Sequence, residues 1–203
     1  MPRVIVVGAT GAVGAALLSI LRADSRCEVT ALVRRPVELG VRTVIIDFEQ
    51  MADHAAAFAE QDIALCCLGT TIAAVGGDKD AFRRVDRDYP LSFFTLAAEA
   101  GARQLSIVTA TGSSPRAWSF YSRTKGEVEA GAQAIAEEAG ARLTILRPGM
   151  LLTPEGKRDA AVLGGKNHRP AEHFAQRALL SAGWMLGPLQ QRFSVSVAEV
   201  AEA

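Results

Sequence analysis

A chain of 203 residues can bury the core of one domain, and its 49% apolar content excludes disorder. Its 22 basic and 22 acidic residues cancel, which excludes the broad electrostatic footprint of a nucleic-acid or anionic-membrane binder. The three cysteines, Cys27, Cys66 and Cys67, lack C-x-x-C spacing, so they read as small apolar residues in a reducing compartment, the cytoplasm, with no metal site.

The apolar run Val4-Ile5-Val6-Val7 leads into Gly8-Ala9-Thr10-Gly11-Ala12-Val13-Gly14 and then Ala15-Ala16-Leu17-Leu18. That pattern predicts a strand, a glycine-rich turn and a helix. A helix N-terminus offers unpaired N–H groups and partial positive charge, which favour phosphate. Glycines let the backbone turn sharply and approach a pyrophosphate. Gly8, Thr10, Gly11, Ala12, Val13 and Gly14 are therefore candidate dinucleotide-binding residues. Their spacing is G-x-x-G-x-x-G rather than G-x-G-x-x-G. Residues 4–21 carry no charge and follow Arg3, as a signal peptide or membrane span would. The regular glycines, and the return to a strand pattern at Glu28–Val33, argue against both.

Further along, strands are expected near 28–33, 42–46, 62–67, 104–109 and 142–147, after a first near 3–7. Helices are expected near 12–22, 51–60, 79–100, 119–139 and 171–186. This alternation predicts an α/β protein with a doubly wound parallel sheet and helices on both faces. Residues 1–203 read as a single domain, in which 150–170 form an irregular loop or lid and 150–203 a small substrate-side segment.

The end of the second strand bears on the cofactor. An acid there would accept from the 2′-hydroxyl of NAD, whereas arginine accommodates the 2′-phosphate of NADP. The chain has Arg34-Arg35 and no acid, so NADP(H) is expected over NAD(H). Asp47-Phe48, after the third strand, could border the adenine, or Asp47 could cap a helix. Leu68-Gly69-Thr70 ends the fourth strand, where the glycine would let the backbone pass close to a ribose.

Tyr121 and Lys125 are four residues apart and share one helix face after the fifth strand. A phenol ionises near ~10 on its own. A neighbouring ammonium favours the phenolate and makes the tyrosine a workable acid/base. The fifth strand runs out through Thr109, Thr111 and Ser113, any of which could polarise a substrate oxygen.

Taken in order, Gly8-x-x-Gly11-x-x-Gly14, the hydroxyl-bearing strand end and Tyr121-x-x-x-Lys125 resemble the short-chain dehydrogenase/reductase superfamily. Cys66-Cys67-Leu68-Gly69-Thr70-Thr71, Arg84-Val85-Asp86-Arg87-Asp88-Tyr89 and Lys125-Gly126-Glu127-Val128-Glu129 are more specific. They resemble its atypical members related to the Tat-interacting, metastasis-suppressor-type oxidoreductases and their bacterial relatives. The resemblance spans residues 3 to about 153. It implies a Rossmann fold with strand order 3-2-1-4-5-6, an NADP(H) site, and a catalytic set of Thr109, Tyr121 and Lys125, with Lys125 also on the cofactor ribose. Pro148-Gly149 would form the turn that approaches the nicotinamide. Thr109 stands where the family carries serine. The helical asparagine of many members has no clear match, although Asp86 falls in that region. The resemblance also implies a chain that continues past the helix expected to open before Ala203, so a shortened substrate lobe is expected.

The histidines are His54, His168 and His173. The last two flank the basic loop Lys166-Asn167-His168-Arg169, which reads as solvated. Trp118 and Phe120 could wall a substrate pocket or simply pack; Trp184 and Met185 would pack the last helix onto the core. The leading expectation is an NADP(H)-dependent oxidoreductase acting on a small carbonyl or hydroxyl substrate, as a monomer or homodimer, with no nucleic-acid or membrane partner. A non-catalytic NADP(H) sensor and a nucleotide-sugar epimerase are the alternatives, because one fold hosts many functions.

Overall fold

A computed structural model describes residues 1–152 and 194–203, without the side chains of 150–152 and 194–197. Six parallel strands form its sheet: β1 (Arg3–Val7), β2 (Glu28–Val33), β3 (Arg42–Ile45), β4 (Ile63–Cys66), β5 (Gln104–Val108) and β6 (Arg142–Leu146). Their order is β3-β2-β1-β4-β5-β6, as expected for a Rossmann sheet. Val4 of β1 registers with Val29 of β2 on one side and Ile63 of β4 on the other. β1 is central and almost fully buried, which explains its unbroken apolar sequence.

Alternate strand residues feed two cores. Ile5, Val7, Leu32, Ala64, Leu105 and Ile107 pack with Phe93 and Phe94 of α3 (Tyr89–Glu99) and Val128 and Ala132 of α4 (Phe120–Ala139). Val4, Val6, Val29 and Ala31 pack on the other face with Leu18 of α1 (Ala12–Ala23). Ser119 caps α4 by accepting from the Ser122 amide at 3.0 Å, and Gly140 ends it at φ +63°.

Two expected helices differ in kind. Residues 51–60 belong to a 3-10 run, Phe48–Phe58, broken at Gln50 and His54. The expected helix 79–100 is α2 (Lys79–Arg83), a π-helical turn (Arg84–Asp88) and α3 in succession. Pro90 explains the interruption: within a regular helix its ring would clash with the carbonyl four residues back, and the wider turn relieves that clash. The π turn also directs Asp86 inward, where it is 1% exposed.

Part of the segment expected to be irregular is ordered. β7 (Met150–Leu152) and β8 (Ser194–Ser196) pair in parallel, and α5 (Val197–Glu202) follows. Val200 of α5 packs on Val13 of α1, close to Val108 and Leu146. The expected lid beyond residue 152 and the expected helix 171–186, with His168, His173, Trp184 and Met185, lie outside the described residues. Among the described residues no helix is long and apolar enough to cross a membrane.

Candidate functional site

The carboxyl ends of the strands carry nearly every candidate residue. Gly8 leaves β1 at φ +81°, and a Cβ there would lie 2.4 Å from the Cys67 carbonyl carbon. A Cβ on Gly14 would lie 2.2 Å from the Gly8 oxygen. These two glycines are demanded by the protein itself. Gly11 is not: it is exposed, its φ is −78°, and a Cβ would meet only the Gly8 oxygen at 3.3 Å. Gly11 is the N-cap of α1 but offers no capping side chain, and the first turn holds no acid. The α1 cap thus brings no side-chain hydrogen bond and the helix's own first turn brings no carboxylate, a composition suited to pyrophosphate. Thr10 is half-buried, Ala12 is exposed and the Val13 side chain is in the core, so Val13 can offer a ligand only its backbone.

A groove of about 480 Å³ opens past the ends of β2 and β3. Arg34, Ile45, Asp47, His54, Val85 and Tyr89 line it with Ile46 and Phe48. Arg34 and Arg35 are both exposed and have no carboxylate partner among the described residues. The cap expected of Asp47 is present, its Oδ1 accepting from the Glu49 amide at 2.9 Å, and the residue also lines the groove. The Asp47 amide in turn donates to His54 Nε2 at 3.2 Å. Phe48 is 8% exposed and stacks at a tilt on Tyr89, so it supports the groove floor from within the core. Tyr89 donates to Glu49 Oε1 at 2.5 Å, and desolvation with this bond pushes its phenol up to about 12. It is a wall of the groove and is poorly suited to exchange protons at neutral pH.

Across the sheet, α4 lays Tyr121, Lys125 and Glu129 along one stripe, each four residues from the next. Tyr121 is half-buried, its ring 5.8 Å from that of Phe82. Lys125 Nζ meets Asp86 Oδ1 at 2.8 Å, and both side chains are almost wholly buried. The other Asp86 oxygen accepts from the Thr70 amide at 2.8 Å. Asp86 therefore ties the lysine to the end of β4. Gly69 is exposed beside this pair, since a Cβ there would lie 3.6 Å from Lys125 Nζ. Leu68 and Thr70, on either side of it, are half-buried.

Thr109 is placed differently from the expectation. It is 6% exposed, and its hydroxyl donates to Glu129 Oε1 at 2.5 Å, so it is already engaged by the protein. The physical reason is strand alternation: Thr109 continues the Leu105 and Ile107 face, which packs on α4. Thr111 is the exposed hydroxyl at this strand end and donates to the Arg147 carbonyl at 3.0 Å. Ser113 is buried and donates to the Ala110 carbonyl at 2.6 Å. Glu129 also takes a forked contact from Arg147, whose Nη2 lies 2.5 Å away. This contact pushes the guanidinium pKa above its ordinary value. Pro148 and Gly149 follow directly and are half-buried.

Sequence reasoning gave no role to Glu129 or Arg147 and only a region to Asp86. The available signal was the spacing: Glu129 repeats the step that joins Tyr121 to Lys125.

A family model for NAD(P)H-binding proteins matches residues 8–180. Protein HTATIP2 of Rattus norvegicus is 35% identical over 156 residues, 73% of this chain and 62% of its own length. FMP52, a protein named mitochondrial from Eremothecium gossypii, is 37% identical over 151 residues, 73% of this chain and 66% of its own length. The chain thus spans somewhat less than two thirds of these relatives. Among solved structures, an NAD-bound short-chain dehydrogenase/reductase superfamily protein from Agrobacterium tumefaciens superposes with a TM-score of 0.64 at 20% identity, covering 94% of this chain and 62% of its own. A UDP-N-acetylglucosamine 4-epimerase from Methanobrevibacter ruminantium reaches 0.70 at 14% identity, covering 99% and 71%. Both share the fold. With its glycine turn, its sheet order and a family model that matches residues 8–180, the chain belongs to the NAD(P)H-binding family.

Proposed function

We propose that the protein is an NADP(H)-dependent oxidoreductase that reduces a small carbonyl compound or oxidises the matching alcohol. The observation that carries this reading is the stripe on α4, with Tyr121 half-buried one turn from a lysine fixed by buried Asp86. The residues present fit the cofactor: the glycine-built start of α1, which carries no acid and no capping side chain, for its pyrophosphate, the apolar groove for its adenine, and Arg34 with Arg35 for a 2′-phosphate. Leu68, Gly69, Lys125 and the Pro148–Gly149 turn would border the ribose and nicotinamide.

When bound, the nicotinamide supplies or accepts the hydride. Tyr121 would hold the proton that passes to the carbonyl oxygen. Lys125 would stabilise the phenolate left behind and donate to ribose hydroxyls. The Thr109 and Thr111 hydroxyls both donate to protein acceptors, Glu129 and the Arg147 carbonyl, so the hydrogen bond to the substrate oxygen is assigned to Tyr121 alone. The free thiols, buried Cys66 and half-buried Cys67, suit a reducing compartment.

The nucleotide-sugar epimerase among the fold neighbours favours a second reading, in which the same tyrosine serves a reversible oxidation at a sugar carbon. A panel of aldehydes, ketones and nucleotide sugars, followed by NADPH oxidation and by product analysis, separates the readings. Net oxidation with a carbonyl substrate is expected. Isomerised sugar without net oxidation would favour the epimerase, and saturable NADPH binding with no conversion of any compound would favour a sensor.

A further inference from the structure

The backbone after β6 is laced to the end of β5 residue by residue. The Thr109 amide donates to the Leu146 carbonyl at 2.8 Å, and the Thr111 amide donates to the Pro148 carbonyl at 2.8 Å. Between them, the Thr111 hydroxyl donates to the Arg147 carbonyl. One side chain closes this lacing from the opposite side. Glu129 is 5% exposed and receives Thr109 through one oxygen and Arg147 through both. A carboxylate so enclosed would be costly without these donors, and the set it receives is fully charge-assisted on the arginine side.

Glu129 sits on the helix that carries Tyr121 and Lys125. Arg147 directly precedes Pro148, whose ring limits the backbone's freedom to compensate. A shift of α4 is thereby passed to the Pro148–Gly149 turn, and a shift of that turn is passed back to Tyr121.

We infer that Thr109, Glu129 and Arg147 form a clamp, closed on the buried Glu129 carboxylate, that positions the Pro148–Gly149 turn against the nicotinamide half of the cofactor, in register with the proton-transferring tyrosine. This rests on the reading that the turn faces the nicotinamide. Glu129 is a positioning residue in this scheme, and the Thr109 hydroxyl serves the clamp.

The clamp acts on one half of the cofactor only, which gives its test. The full chain is titrated with NADPH and with 2′-phospho-ADP-ribose, which lacks the nicotinamide. Glu129→Gln should weaken NADPH about tenfold, the size of one lost charge-assisted hydrogen bond, and leave 2′-phospho-ADP-ribose unchanged. Thr109→Val should act in the same sense, and Thr109→Ser, which keeps the donor, should restore NADPH binding. If Glu129→Gln does not fold, the two Thr109 variants carry the same comparison. Equal losses for both ligands would reduce the trio to a general stabiliser and overturn the clamp, as would unchanged NADPH affinity in both Glu129→Gln and Thr109→Val. A wild type that binds neither ligand would instead overturn the cofactor reading on which the clamp depends.

Discussion

The β1–α1 turn and the edge formed by β5, α4 and β6 serve one site but are built by opposite means. The turn is made of backbone: Gly8 and Gly14 let strand and helix approach, and Gly11 caps the helix with no side chain. The edge is made of side chains in two sets: Asp86 holds Lys125 as a buried ion pair, and the buried Glu129 carboxylate holds Thr109 and the exposed Arg147. Backbone sites are written locally, so a seven-residue motif announces them. Side-chain networks are written across more than sixty residues, from Asp86 to Arg147, and only the fold brings them together.

This difference predicts different failures. The largest should come at the edge. Asp86→Ala leaves Lys125 buried without its carboxylate and should cost about 3–5 kcal/mol, measured by urea unfolding. A loss below ~1 kcal/mol would mean that water replaces the pair.

In the turn, Gly14→Ala forces a methyl onto the Gly8 carbonyl and should cost on the order of 3 kcal/mol. Gly11→Val should leave the unfolding midpoint near wild type and abolish saturable NADPH binding. Equal destabilisation by the two variants would erase the distinction between a glycine the fold needs and one the ligand needs.

Smaller in effect is the choice of cofactor. Arg34→Asp should weaken NADPH by ~1.5–3 kcal/mol, the scale of a hydrogen bond to a charged group, and leave NADH nearly unchanged. Parallel titrations of both cofactors check this; an unaltered preference would move the 2′-phosphate elsewhere.

The smallest effect concerns Cys66 and Cys67, just beyond the turn. Burial pushes both thiols up to about 12. Almost no thiolate exists at neutral pH, so alkylation should be confined to Cys27 until the protein unfolds. Mass mapping after brief iodoacetamide treatment would show it, and rapid labelling of Cys66 would contradict the packing around β4.

The alternation of strands and helices, the glycine turn and the shared helix face of Tyr121 and Lys125 were legible in the sequence because each rests on a local period or a local spacing, whereas the strand order came from the family resemblance. Phe48–Phe58 was less so: its apolar spacing suits a helix, but the breaks at Gln50 and His54 reflect packing on α3. The π turn was visible only as Pro90, whose consequence needs the inward Asp86 to be understood. Thr109 was the instructive case. Its hydroxyl and its position at a strand end pointed to substrate, yet strand alternation turned it toward α4, where Glu129 was waiting as its acceptor.

The central claim is that Tyr121 transfers the proton in an NADP(H)-dependent reduction. The most direct measurement compares NADPH oxidation by wild type and Tyr121→Phe, using the best carbonyl compound from the panel, with NADPH affinity measured on the same samples. The phenylalanine keeps the ring against Phe82 and removes only the exchangeable proton. Turnover should fall by ~10² or more while NADPH affinity holds. A variant that keeps the full wild-type rate would contradict the account.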